Sequence, residues 1–362
     1  MYIYLDKKQD TMKTQKTILY LFCSITISSA FAQSDTVQIK ILNTDTQAAE
    51  KNYNKGISYF VAKKFNEALL VFNEAINLKQ DFEQAYFNRG VTKMELKDNI
   101  GALADFDKSI SLTQNPESFF YRAQTKYAME NITGAVEDYS KALEKRSDYP
   151  QAYFYRAELK FDQKDYTGAI DDYTQAIKLK PDYAYAYNDR GSAKRQLEDY
   201  DGAIEDYNKG LSTNPDMAFT ANNLASAKRK KGDFNGAIAD YSNAINKKAD
   251  YYVAFNNRGS AKLDAGDVQG AIADFTKAIE LKTDYTYAYN NRASAKYKLN
   301  DFKGAVEDCN MAIKINPNYA NAYLNRGVAK ELLRDELGAC ADWKKAIELG
   351  EPKAKGYAGD CK

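Results

Sequence analysis

The sequence predicts an all-α solenoid, one helical hairpin copied and stacked many times. Three observations carry that prediction. First, Tyr183–Pro215, YAYAYNDRGSAKRQLEDYDGAIEDYNKGLSTNP, returns at a 34-residue step as MAFTANNLASAKRKKGDFNGAIADYSNAINKKA and again as YVAFNNRGSAKLDAGDVQGAIADFTKAIELKTD. Self-similarity at such a period marks a repeat architecture. Second, Tyr187, Gly191 and Lys194 recur at i, i+4 and i+7, and Ala203, Tyr207 and Gly210 do so again. Each set lies on one face of a helix. Leu197-Glu198-Asp199 makes the turn between the helices, and Pro215 cannot continue the second one. Third, neither short helix can bury its apolar stripe alone, so neighbouring copies must cover it.

Taken in order, the chain opens with Met12-Lys-Thr-Gln-Lys16, then a mostly apolar run from Thr17 to Ser29, then Ala30-Phe31-Ala32. Basic start, apolar middle and small-residue exit predict a secretory signal peptide over 1–32, cleaved after Ala32, with translation starting at Met12. The apolar run is shorter than the roughly 18–20 residues a bilayer span needs, so no transmembrane segment is expected. Residues 33–48 form a polar lead-in, whose alternation Val37-Gln-Ile-Lys-Ile predicts either a short strand or a cap on the first helix pair. Repeats then run over 49–353, and 354–362 form a C-terminal cap.

Following the small packing residue gives Gly56, Gly90, Ala123, Ala157, Gly191, Ala225, Gly259, Ala293 and Gly327, about nine units. The third unit is displaced by 33 residues where the others step by 34, which puts a one-residue deletion in the turn around Gln114 to Pro116. A surface connection absorbs that change at little cost.

Composition narrows the chemistry. The 362 residues include no histidine, so the commonest general base and the commonest neutral metal ligand are both missing. No GxxxxGK phosphate loop, CxxC pair or nucleophile elbow occurs. Neither a catalytic centre, a metal nor a cofactor is expected. Lys plus Arg number 51 against 50 for Asp plus Glu, a net charge of +1, which argues against nucleic acid as a partner.

The 34-residue helix–turn–helix, with Tyr187, Gly191, Ala203, Tyr207, Ala176 and Pro215 at their spacings, resembles the tetratricopeptide repeat. That resemblance implies a right-handed superhelix whose first helices line a concave groove that binds proteins or extended peptides. One departure is consistent. Where the family carries leucine before the small residue, seven units carry arginine, and a lysine follows one turn later. An aspartate occupies a matching slot on the second helix, as in Arg190 with Asp206 and Arg258 with Asp274. Pairing within each unit leaves fewer defects than pairing between units, so these residues are read as structural ion pairs, the alternative being a basic binding stripe.

Carrying the groove over by resemblance places inward the residue after each first-helix aromatic. These are Asn188, Asn222, Asn256 and Asn290, followed by Asn223, Asn257 and Asn291. An amide offers an acceptor and two donors, which suits a peptide backbone. Arg195 and Arg229 add positive charge, and earlier units place Phe87, Phe120 and Phe154 in the same slot as apolar anchors. The expected function is an exported, non-enzymatic scaffold in the cell envelope, periplasmic or surface-associated, that takes part in complex formation through this groove. The alternative is a structural bridge acting through the convex surface. Of the cysteines left after cleavage, Cys340 and Cys361 are placed to form a disulfide over the last unit, with Cys309 a buried free thiol.

Overall fold

The computed structural model describes residues 38–359 and residue 361. Among the described residues there are nineteen helices and no strand. They fall into two compact units, one ending at Gln163 and the other beginning at Lys164. The first contains α1 (Gln38–Val61), α2 (Phe65–Leu78), α3 (Glu83–Glu95), α4 (Asn99–Thr113), α5 (Pro116–Ala128), α6 (Ile132–Lys145) and α7 (Pro150–Asp162). The second opens with α8 (Tyr166–Leu179), α9 (Ala184–Gln196), α10 (Tyr200–Thr213), α11 (Ala218–Lys230), α12 (Phe234–Lys247) and α13 (Tyr252–Asp264). It continues with α14 (Val268–Leu281), α15 (Thr286–Lys298), α16 (Phe302–Ile315), α17 (Ala320–Leu332), α18 (Glu336–Glu348) and α19 (Ala354–Ala358). Within each unit, helices next to each other in sequence pack together, and first helices of successive hairpins also meet. This is the α-solenoid the period predicts.

One hairpin explains the rest. Helix α9 ends where Glu198 takes a left-handed φ of 62°. Asp199 then caps α10, its carboxylate accepting from the Gly202 N–H at 2.9 Å. An N-cap of this kind satisfies one of the free donors at a helix start. The left-handed slot recurs at every such turn, and only Gly232 and Gly266 fill it with the residue that adopts it without strain. Small residues face the partner helix: a Cβ on Gly327 would stand 2.4 Å from the Trp343 indole nitrogen.

Across most of the hairpins runs an ionic staple. The Arg190 guanidinium donates from Nε and Nη2 to the two oxygens of Asp206, at 2.9 and 2.6 Å, and Lys194 Nζ lies 2.9 Å from the same carboxylate. The lysine also donates to the Gly202 carbonyl at 3.4 Å, closing the hairpin at its turn. Arg190 Nη1 reaches back to the Thr174 hydroxyl on α8, so one side chain ties its own hairpin to the preceding one. The Arg190 guanidinium stacks over Tyr187, and the same geometry recurs at Arg258 over Phe255, Arg292 over Tyr289 and Arg326 over Tyr323. Identical Arg–Asp–Lys triads hold Asp105, Asp138, Asp274, Asp308 and Asp342. Asp240 faces Leu224 and keeps only Lys228, and its side chain is 18% exposed against 3% for Asp206.

Three features depart from the simplest repeat. Helix α1 already runs from Gln38, so the residues read as a strand or a cap continue the first helix; Val37 and the signal segment 1–32 lie outside the described residues. The 33-residue unit is made by lengthening α4 to 15 residues and shortening the link to Gln114 and Asn115. Gln114 adopts φ 49°, Asn115 caps α5 and Pro116 starts it. At the other end, Cys340 and Cys361 are joined, and Trp343 stacks on Tyr357 of α19 with ring centroids 5.4 Å apart. Cys309 is buried and free, its thiol pushed up to about 12 by burial.

Removing a carboxylate from a staple leaves two cations in a mostly buried place, a change that costs about 3–5 kcal/mol. Asp206→Ala is therefore expected to destabilise the fold by that amount in denaturant unfolding, and Asp240→Ala by about 1 kcal/mol, closer to an exposed pair. Equal losses at the two positions would contradict the staple.

Candidate interaction surface on the first helices

The asparagine row lies between helices rather than in open solvent. Asn188 and Asn222 are completely buried, and Asn256 and Asn290 nearly so. Each accepts through Oδ1 from the amide of the next first helix: Asn223 to Asn188 at 3.1 Å, Asn257 to Asn222 at 3.1 Å, Asn291 to Asn256 at 2.9 Å and Asn325 to Asn290 at 2.9 Å. Thr220 adds a second donor to Asn188 at 3.0 Å. The expectation that these amides face a peptide is corrected: they are consumed in holding successive first helices in register. The reason is geometric. The residue after the first-helix aromatic sits on the flank of its helix, and the flank is what the next hairpin covers.

Between neighbours on one helix, Asn188 Nδ2 donates to Asp189 Oδ1 at 2.6 Å, and Asn256 Nδ2 to Asn257 Oδ1 at 3.5 Å. At the middle step Asn222 Nδ2 and Asn223 Oδ1 have no partner among the described residues, a matched donor and acceptor on neighbouring residues. Leaving a buried amide group unpaired costs stability.

The first unit uses the same slot with different chemistry. Phe87 packs on Tyr121 with centroids 5.4 Å apart, and Phe120 on Tyr155 at 5.8 Å, each ring meeting the residue that aligns with Asn223 one hairpin later. Tyr53 is mixed, its hydroxyl accepting from Asn88 Nδ2 at 3.0 Å. Phe120 and Phe154 are fully buried and Phe87 is half-buried. As anchors for an apolar partner they are corrected too: aromatic rings here fill the seam that amides fill in the second unit. What remains on the first-helix side of this unit is the half-buried row Phe60, Met94 and Tyr127.

A serine row also recurs at the 34-residue spacing. Ser192, Ser226, Ser260 and Ser294 each donate to the carbonyl of the asparagine four residues earlier. The Tyr207 and Tyr241 hydroxyls reach through from the second helices to Ser192 and Ser226, at 3.2 and 2.9 Å. Burial pushes the Tyr207 phenol up, and Arg195, together with the Ser192 hydroxyl, pulls it partly back.

Beyond the serines, the last turns of the first helices carry the side chains that no neighbour covers completely. Arg195 and Arg229 are half-buried there and Lys230 is exposed, followed by Leu263, Asp264 and Tyr297 on the next two first helices. Arg229 Nε donates to Asp264 Oδ2 at 2.6 Å across the gap between α11 and α13. Among the described residues no cluster of three or more His, Cys, Asp or Glu side chains could hold a metal ion, and no helix is long and apolar enough to cross a membrane.

Comparison with known proteins agrees with this geometry. Sequence profiles described as tetratricopeptide repeat match residues 184–217, 286–319 and 222–286, and one described as TPR repeat matches 157–194. A tetratricopeptide repeat protein of known structure from Parabacteroides merdae is 16% identical, with a TM-score of 0.54 over 69% of this chain and 99% of that one. The C-terminal part of a TPR repeat-containing protein from Cytophaga hutchinsonii is 20% identical, with a TM-score of 0.52 over 66% and 98%. At these identities the likeness shows the fold. MamA is 33% identical over 48% of this chain and 94% of its own, with a TM-score of 0.41. RNA polymerase II-associated protein 3 of Xenopus laevis is 28% identical over 104 residues, 28% of this chain and 16% of that protein's length.

If the amides are a structural ladder, Asn256→Ala strands the Asn291 donor in a buried seam. The expected outcome is a loss of about 1–3 kcal/mol in chemical denaturation. An Asn256→Ala protein as stable as the parent would return the row to the list of surface groups.

Proposed function

The chain carries tetratricopeptide repeats, and from that premise we propose that it is a non-catalytic scaffold holding a protein or extended peptide against the first helices of its second unit. One observation carries this reading: the amide ladder fixes successive first helices side by side, which leaves a row of last-turn side chains at regular intervals. Arg195, Arg229, Leu263, Asp264 and Tyr297 on that row mix charge, amphipathic rings and apolar surface. Such a mixture suits a partner read through a few anchors on a pre-set backbone, where little ordering is needed on the protein's side. In the first unit, Phe60, Met94 and Tyr127 offer a separate apolar row for the same kind of use.

Two surfaces compete for the role, and substitution separates them. Leu263→Asp with Tyr297→Ala alters the first-helix row, while Glu205→Lys with Lys209→Glu alters exposed positions on a second helix. Peptides selected from a displayed library on the parent chain should lose about tenfold or more in affinity against the first pair and little against the second, as anchor residues do. Loss confined to the second pair would assign binding to the outer side, and the protein would then act as a bridge.

Export to the cell envelope belongs to the same proposal. It is supported by the basic–apolar–small order of residues 12–32 and by the Cys340–Cys361 bridge, since disulfides persist in oxidising compartments. Mass spectrometry of protein from an envelope fraction should find an N-terminus at Gln33 and Cys340 bridged to Cys361. A cytoplasmic chain retaining residues 12–32 with reduced cysteines would refute export.

A further inference from the structure

We propose that the hairpin built on Leu224 holds an open receptor for an arginine side chain of a partner polypeptide, between the second helices α10 and α12. The site is separate from the first-helix row and does not rest on it. The other hairpins show what fits there. Each of their seven arginines donates from Nη1 to a side chain on the preceding second helix. Outside the shortened unit that acceptor lies sixteen positions earlier. The aspartate held by Nε and Nη2 lies sixteen positions later, as in Thr174, Arg190 and Asp206. The same spacing around position 224 gives Asn208 and Asp240. Asparagine is a proven acceptor in that slot, since Asn73 and Asn310 accept from Arg89 and Arg326 at 2.7 Å. Both acceptors are present here, and the arginine is not.

Asp240 carries the mark of the missing group. Lys228 Nζ approaches its Oδ2 at 2.6 Å, yet that oxygen is buried and accepts no hydrogen bond among the described residues. In Asp206 the same oxygen accepts from Arg190 Nε at 2.9 Å. The Asp240 side chain is 18% exposed where Asp206 is 3% exposed, so the face that a guanidinium covers elsewhere is open to solvent. Asn208 is exposed on the facing helix. Leu224 does not take the guanidinium's place, because it is buried against Ala203, Tyr207 and Ala227 in the hairpin's own core. The ring that the arginine covers in other hairpins, Tyr187 or Phe255, is replaced by Ala221.

The acceptors select the ligand. Lys228 already supplies a point charge, and what remains is a carboxylate on one helix with an amide oxygen on the next. A planar guanidinium donates to both in one plane, and an ammonium group cannot. Its arrival reproduces the one-anion, two-cation balance of the intact staples. The slot receives only the head of a side chain. Beside Asn208 lies a surface depression lined by Tyr187, Arg190, Glu205, Lys209 and Ser212, where the backbone that carries the arginine can rest. That favours an arginine presented by a polypeptide over a free guanidinium compound.

Peptides selected from a displayed library on the whole chain, counter-selected against Leu224→Arg, which fills the slot from within, should share one fixed arginine. Changing that arginine to lysine or to uncharged citrulline should weaken binding about tenfold or more in fluorescence anisotropy. Asp240→Asn should weaken it by a similar factor and Asn208→Ala several-fold, while Leu263→Asp/Tyr297→Ala leaves it unaltered. Competition gives a readout on the unaltered protein: capped arginine at millimolar concentration should displace the peptide, and capped lysine should not. A selection without a common arginine, a lysine peptide that binds equally, or binding that survives Asp240→Asn overturns the receptor. Capped arginine that binds as tightly as the selected peptide overturns the polypeptide occupant.

Discussion

A carboxylate withdrawn from water between two helices must be met by cations, or it destabilises the fold that encloses it. Asp206 and its counterparts meet that demand with an arginine and a lysine from the first helix of the same hairpin. Much else follows from this. The arginine stands where Leu224 stands in the exceptional hairpin, yet its guanidinium lies over the ring of Tyr187, 5.7 Å from the centroid, so contact with the ring is kept while charge is added. Its remaining nitrogen reaches the preceding hairpin at Thr174. The lysine closes the turn through the Gly202 carbonyl. One buried anion thereby organises the hairpin, its turn and its stacking. The hairpin built around Leu224 shows the same frame with the arginine missing, and its aspartate is the more exposed one.

A second seam joins first helix to first helix, and there the two units diverge while keeping one geometry. Amide meets amide in the second unit and ring meets ring in the first. The amide seam is directional, because a hydrogen bond fixes distance and angle. An aromatic seam buries more area and tolerates more variation in approach. The difference sets how each unit can present a partner surface. Paired amides define register to within a bond length, and the last-turn residues beyond them, such as Arg229 and Asp264, inherit that precision.

Ordinary side-chain chemistry also accounts for the ends. Within each unit, an internal hairpin has its apolar flank covered by the next. The last one is covered by α19, by the Trp343–Tyr357 stack and by the Cys340–Cys361 bridge, with Leu324 and Ala346 beneath. Terminal repeats of a solenoid need such covering, since an exposed apolar flank would invite further association. A five-residue helix is too short to hold its place by backbone hydrogen bonds alone, and the disulfide supplies the attachment.

By itself the sequence determined the hairpin, the number of residues in it, its turns and its ionic staple. These depend on local spacing, and 34-residue repetition shows each spacing many times over. The position of Asp206 opposite Arg190 was legible because pairing within each hairpin leaves fewer unmatched residues than pairing between hairpins. The direction in which a side chain leaves its helix was not legible in that way. Asn188, Asn222, Phe120 and Phe154 stand one residue after an aromatic that packs inward, and a rotation of a few tens of degrees decides whether such a residue faces a ligand or the adjacent helix. That rotation is set by how closely successive hairpins approach, which only the tertiary structure fixes.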